Sequence, residues 1–101
     1  MQTSNQVALG VLADDFTGAL DSGVELVRAG FSAQFQIQPS TECSADVLIV
    51  SSESRNRLAA EARMRVAEAV ARLQGRRLFK KIDSTMRGHV GAEIEVVLAA
   101  T

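Results

Sequence analysis

The chain has 101 residues, 47% of them apolar and 23% charged, with a formal net charge of −1. That length fits one domain with a real core, and the composition excludes a disordered or fibrous chain. The near-zero charge excludes a strongly basic nucleic-acid binder, and no apolar stretch approaches the roughly 20 residues that a membrane span requires.

Met1 is followed by five polar, uncharged residues, Gln2 to Gln6. The apolar run behind them, Val7 to Ala13, has no basic flank and meets two aspartates, so it does not read as a signal peptide. It has the look of a strand buried on both faces, as in a parallel sheet. After Asp14 and Asp15 a helical pattern follows, with Leu20, Val24 and Val27 on one stripe, Gly23 among them, and Gly30 at the C-terminal glycine position. Phe31 to Gln38 alternates apolar and polar, which predicts a half-buried or edge strand. A polar loop from Pro39 to Ala45 carries the only proline and the only cysteine, Cys43. One cysteine permits no intrachain disulfide and no cysteine-pair metal site, which fits a reducing cytoplasm.

Asp46 to Val50 is a second buried-strand run and ends at Ser51, Ser52, Glu53, Ser54 and Arg55. An amphipathic helix follows, with Leu58, Ala62, Val66, Ala69, Val70 and Leu73 on one face. Glu61 to Arg65 and Glu68 to Arg72 have the spacing of helix-surface ion pairs, and Gly75 closes the helix. Leu78 to Ile82 is a short strand ending at Asp83, Ser84 and Thr85. A last helix carries Val90, Ile94, Val97 and Leu98 on one stripe. Strands alternating with helices predict a three-layer, doubly wound α/β fold. About four largely parallel strands should carry helices on both faces, with right-handed crossovers.

In such sheets ligands bind beyond the carboxyl ends of the strands. Three strands end in dense polar clusters: Asp14 and Asp15; Ser51 to Arg55; and Asp83, Ser84, Thr85, Arg87, Gly88 and His89. Parallel strands would set all three on one rim. The aspartate pair could take a proton from a substrate hydroxyl, hold Mg²⁺ through water, bind polyol hydroxyls, or cap the following helix. Arg87 and Arg55 suit bidentate binding of a carboxylate or phosphate, or are solvated surface residues. No Walker-type loop, dinucleotide-binding glycine pattern or nucleophile elbow occurs, and the single histidine excludes a His-rich metal site.

Ala13 to Ala19 followed by Asp21, Ser22 and Gly23 resembles the opening motif of the four-carbon acid sugar kinases. Glu53-Ser54-Arg55 resembles that family's second motif. Lys80 to Gly88, then Gly91, Ala92 and Glu93, resembles its third. The three motifs stand in order and cover nearly the whole chain. The resemblance implies an ATP-dependent kinase of threonate, erythronate or 3-oxo-tetronate, with an N-terminal α/β domain for the sugar acid and a C-terminal domain for the nucleotide. It also implies an acid-sugar pocket lined by Asp14, Asp15, Arg55, Asp83, Ser84, Thr85, Arg87 and Gly88. Asp15 is then the expected catalytic base.

Two departures stand out. Ser51 and Ser52 precede Glu53, where an Asn/Asp-Thr pair is more usual, and the chain is several times shorter than the family's members. Residues 1–101 are therefore expected to be the N-terminal portion of the sugar-binding domain, without the nucleotide-binding domain and inactive by themselves. ATP and Mg²⁺ would serve the full-length protein, with neither bound by this chain and no metal site in it. Expected partners are the small-molecule sugar acid, the missing nucleotide-binding domain and a second copy in a homodimer, with no nucleic acid and no membrane. The alternatives are a non-catalytic binding or effector-type interaction protein that kept the fold, and a small receiver-like phosphoryl acceptor. Asp46, which starts rather than ends a strand, argues against the last.

Overall fold

A computed structural model describes residues 9–37 and 44–100. Four strands and three helices alternate: β1 (Leu9–Ala13), α1 (Phe16–Arg28), β2 (Ala33–Gln36), β3 (Val47–Ser51), α2 (Ala59–Arg72), β4 (Arg77–Lys81) and α3 (Val90–Ala100). All pairings are parallel, in the order β2-β3-β1-β4. Leu12 stands between Val50 of β3 and Lys80 of β4. The chain leaves β1, runs through α1 to the edge strand β2, returns to β3 beside β1, and crosses through α2 to β4 on the other side. The winding therefore reverses at β1, and a crevice opens at its carboxyl end.

Alternation along the central strands feeds two cores, which is why those strands read as unbroken apolar runs. Val11, Ala13, Val47 and Ile49 face α1 and meet Ala19, with Leu26, Ala33 and Phe35 packed around them. Leu12, Leu48 and Val50 face the opposite way, against Val66, Ala69, Val70 and Leu73 of the α2 region, with Val96 and Val97 of α3. Helices thus cover both faces, as the strand-helix alternation predicts. Gly30 and Gly75 follow the first two helices with φ of +101° and +85°, the left-handed conformation that suits glycine at a helix end.

Three apolar stripes differ from the sequence reading. In α1, Leu20, Val24 and Val27 are 44%, 53% and 56% exposed, and the buried residues are Ala19 and Gly23. The helix lies close on the sheet through its small residues. Its large ones shift sideways and line an open apolar groove with Phe35 near the β2 edge. In α3 the inward stripe is Glu93, Val96 and Val97, while Ile94 and Leu98 are exposed. The spacing i, i+3, i+4 is kept, but its first member is charged, so a search for apolar periodicity picks a neighbouring face. In α2 the face holds except for Leu58, which precedes the helix and is exposed.

Of the surface pairs, Arg65 Nε meets Glu61 at 3.1 Å, while Arg72 reaches across to Gln36 Oε1 at 2.8 Å. Val7, Ala8, Gln38, Pro39 to Cys43 and Thr101 lie outside the described residues. Among the described residues no helix is long and apolar enough to cross a membrane.

Candidate functional site

Because the strands are parallel, the loops after β1, β3 and β4 emerge on one rim. The first loop begins with Asp14, buried directly at the end of β1. Asp15 follows in extended conformation as the N-cap of α1, its Oδ1 accepting from Gly18 N at 2.9 Å. The second loop is tied to the first through the backbone: Ser54 N and Arg55 N donate to Asp14 O at 3.0 and 3.3 Å. This brings the Arg55 side chain onto the aspartates. Its Nε reaches Asp14 Oδ2 at 3.3 Å and its Nη2 reaches Asp14 Oδ1 at 2.9 Å, a two-point grip. The same Nη2 lies 3.2 Å from Asp15 Oδ1 and 3.5 Å from Asp83 Oδ1. The hydrogen bond to Asp14, with the charges of Asp14, Asp15 and Asp83, raises the Arg55 pKa above its ordinary value against the effect of burial.

The third loop is organised by Asp83. Its Oδ2 accepts from Thr85 N at 2.9 Å, from the Thr85 hydroxyl, from Arg87 N at 3.2 Å and from Arg87 Nε at 3.0 Å, while Oδ1 accepts from Arg87 Nη2 at 2.7 Å. Arg87 first, then Thr85, hold the Asp83 carboxyl far below the usual carboxylate range. Arg87, raised above its ordinary value chiefly by Asp83, keeps an exposed side chain. Gly88 has φ +89°, and a Cβ there would stand 2.8 Å from Asp14 Oδ2 and 3.3 Å from Arg55 Cγ. Only glycine lets the third loop close over the first at this point. Glu53 and Met86 take φ of +50° and +62°, so two of the three loops hold a non-glycine residue in the left-handed region.

The geometry therefore gathers Asp14, Asp15, Arg55 and Asp83 directly, joins Thr85 and Arg87 to them through Asp83, and lays Gly88 over Asp14. Ser84 is exposed on the same turn. His89 does not join this cluster; its Nε2 contacts Arg57 O. Chemically the rim combines carboxylates that can accept from hydroxyl groups with guanidiniums that can meet an anion. No three His, Cys, Asp or Glu side chains are grouped as a metal cage among the described residues.

Sequence reasoning missed the layer below. Glu93 is fully buried and bonded to Ser54 Oγ at 2.6 Å, and Lys80 Nζ stands 3.0 Å from its other oxygen. Both residues belong to the third motif, so the sequence marked them, but not their pairing or the burial of Glu93.

A family model described as the sugar-binding N-terminal domain matches residues 9–101. The chain is 39% identical to a D-threonate kinase of Bordetella bronchiseptica, over 91% of this chain and 25% of that protein. It is 41% identical to a D-erythronate kinase of Heliobacterium modesticaldum, over 87% of this chain and 22% of that one. A Bordetella bronchiseptica protein crystallised with bound citrate as a domain-swapped dimer superposes with a TM-score of 0.83 at 38% identity, over 94% of this chain and 27% of that chain. The chain thus spans about a quarter of the length of the curated relatives it matches. From the match over residues 9–101 and the shared fold, the chain belongs to the sugar-binding N-terminal domain family of the four-carbon acid sugar kinases.

Proposed function

We propose that this chain is the sugar-acid-binding part of an ATP-dependent kinase that phosphorylates a four-carbon acid sugar of the threonate, erythronate or 3-oxo-tetronate type. The nucleotide is bound by a domain outside these 101 residues, so the chain is inactive by itself, and its setting is the cytoplasm. The observation that carries this reading is the convergence of three strand-end loops on Arg55, which meets Asp14, Asp15 and Asp83 within 3.5 Å. A four-carbon acid sugar presents a carboxylate at one end and hydroxyls along its length. Arg55 and Arg87 suit the first. Asp15, Ser84 and Thr85 suit the second, Asp14 and Asp83 stand buried behind them as partners of Arg55, and Gly88 lets the loops approach.

Asp15 is assigned as the base. Its side chain is 29% exposed, against 5% for Asp14, so it is the carboxylate of the pair that a substrate hydroxyl can reach. In the transfer, the substrate hydroxyl oxygen would form the new bond to the γ-phosphorus as the bond from that phosphorus to the β–γ bridging oxygen breaks and ADP leaves, and the hydroxyl proton would pass to the Asp15 carboxylate. ATP with Mg²⁺ supplies the phosphoryl group when bound. The residues here do not fit that metal: the three rim aspartates each turn an oxygen to the Arg55 guanidinium, which stands where a cation between them would sit.

Thermal unfolding with D-threonate, L-threonate and D-erythronate tests the reading. Binding to the native state raises stability by about 2.7 kcal/mol at one hundred times the dissociation constant. The expected result is a rise in Tm with one of these acids that Arg87→Ala abolishes. A cooperatively folded chain that responds to none of them would remove the sugar-acid assignment and favour a non-catalytic interaction protein.

A further inference from the structure

Beneath the rim runs a line of buried polar groups that sugar-acid binding does not itself require. Glu93 of α3 is 1% exposed. Its Oε2 accepts from Ser54 Oγ at 2.6 Å. Its Oε1 faces Lys80 Nζ at 3.0 Å as a charge pair, while the directed hydrogen bond of that ammonium goes to Lys81 O at 3.3 Å. Ser52 Oγ lies 2.7 Å from Ser54 Oγ and 3.2 Å from Ala13 O. Each hydroxyl has one proton. The Ser54 proton goes to the carboxylate, so the Ser52 proton closes the shorter contact to Ser54. The line joins β4, α3 and the loop after β3, and the Ser52 N–H ties it to the end of β1 by donating to Ala13 O at 2.8 Å.

Stability alone is a poor reason for this arrangement. Replacing a buried ion pair by apolar residues of similar volume is often neutral or stabilising. The place where the line ends gives a better one. Ser54 directly precedes Arg55, and Glu53 on its other side holds φ +50°, a backbone state that persists only where surrounding contacts impose it. The Ser54 side chain is gripped by Glu93 from below while its N–H is gripped by Asp14 O from the side. Those two contacts fix the direction in which the next side chain leaves.

We propose that the Lys80–Glu93 pair, acting through Ser54, is a positioning device that holds the loop after β3 so that the Arg55 guanidinium stands ready for the ligand carboxylate. The proposal rests on the sugar-acid reading for its ligand but not for its geometry, so the test has two readouts. The first is the dissociation constant for D-threonate and D-erythronate. The second is the NMR signal and solvent exchange of the Arg55 Nε proton, which needs no ligand.

Two variants break the line at different places: Ser54→Ala with the charge pair intact, and Lys80→Met combined with Glu93→Leu, which removes both charges. Glu95→Gln, on the exposed side of the same helix, is the control. In the unmodified chain the Arg55 Nε proton is expected to be protected. Each folded variant is expected to bind the acid at least tenfold more weakly and to shift and deprotect that proton, with the control unchanged. Folded variants with unmoved affinity and an unmoved Arg55 signal would overturn the proposal, as would a freely exchanging Arg55 proton in the unmodified chain. Failure of both variants to fold would assign the line to stability and overturn its positioning role. An unmodified chain that binds neither acid would refute the ligand assignment, while the Arg55 signal would still decide the geometry.

Discussion

Arg55 holds the rim together. It is the cation between three aspartates, and Asp14 beneath it is buried. Arg55→Ala would leave that carboxylate without its partner, and loss of one member of a buried pair costs on the order of 3–5 kcal/mol. Urea denaturation should show that loss. Arg55→Lys should recover little, because an ammonium cannot make the two-point grip. Gly88→Ala should lose acid binding and about 1–3 kcal/mol of stability, since a left-handed backbone and a 2.8 Å clash with Asp14 Oδ2 act together.

Asp83 gives a pH signature. Its pKa is lowered by Arg87 and Thr85, so the unfolded chain binds its proton more readily. Stability is therefore fully present above the ordinary aspartate range, near 3.9, and falls as pH drops below it toward the depressed folded value. Urea midpoints measured against pH should fall more shallowly on that acid limb in Arg87→Ala than in the unmodified chain. At this scale the rim was legible because apolar runs stop abruptly at Asp14, Ser51 and Asp83. The contact between Glu93 and Lys80 was not, although both stand in the third motif, because it depends on which side of α3 turns inward.

Among the elements, the central strands were the most legible, since only a strand covered on both faces reads as Val47 to Val50 does. Helix orientation was harder. In α1 the residues that touch the sheet are Ala19 and Gly23, whose small size permits close approach and whose weak hydrophobic signal is outvoted by Leu20, Val24 and Val27. A matched pair of substitutions checks the corrected orientation. Leu73→Ala, in the core below β1, should cost about 2–5 kcal/mol. Leu20→Ala should stay within about 0.5 kcal/mol, as surface substitutions do. Equal losses at both positions would restore the apolar stripe as the buried face of α1.

At the scale of the whole molecule, the doubly wound order explains why three separate motifs meet at one place. Reversal of the winding at β1 puts the loops after β3 and β4 on either side of Asp14 and Asp15. Among the described residues the same sheet ends in two edges. Phe79 on β4 is about half exposed, and an unpaired edge carrying apolar side chains invites a second chain. Sedimentation velocity should find concentration-dependent self-association, weakened by Phe79→Lys.

The central claim is that the rim recognises an acid sugar through its carboxylate. Isothermal titration of D-threonate and of the uncharged polyol D-threitol, which keeps the hydroxyls and lacks the carboxylate, tests it most directly. Saturable binding of the acid without binding of the polyol is the predicted result. Equal binding of both, or binding of neither by a folded chain, would contradict it.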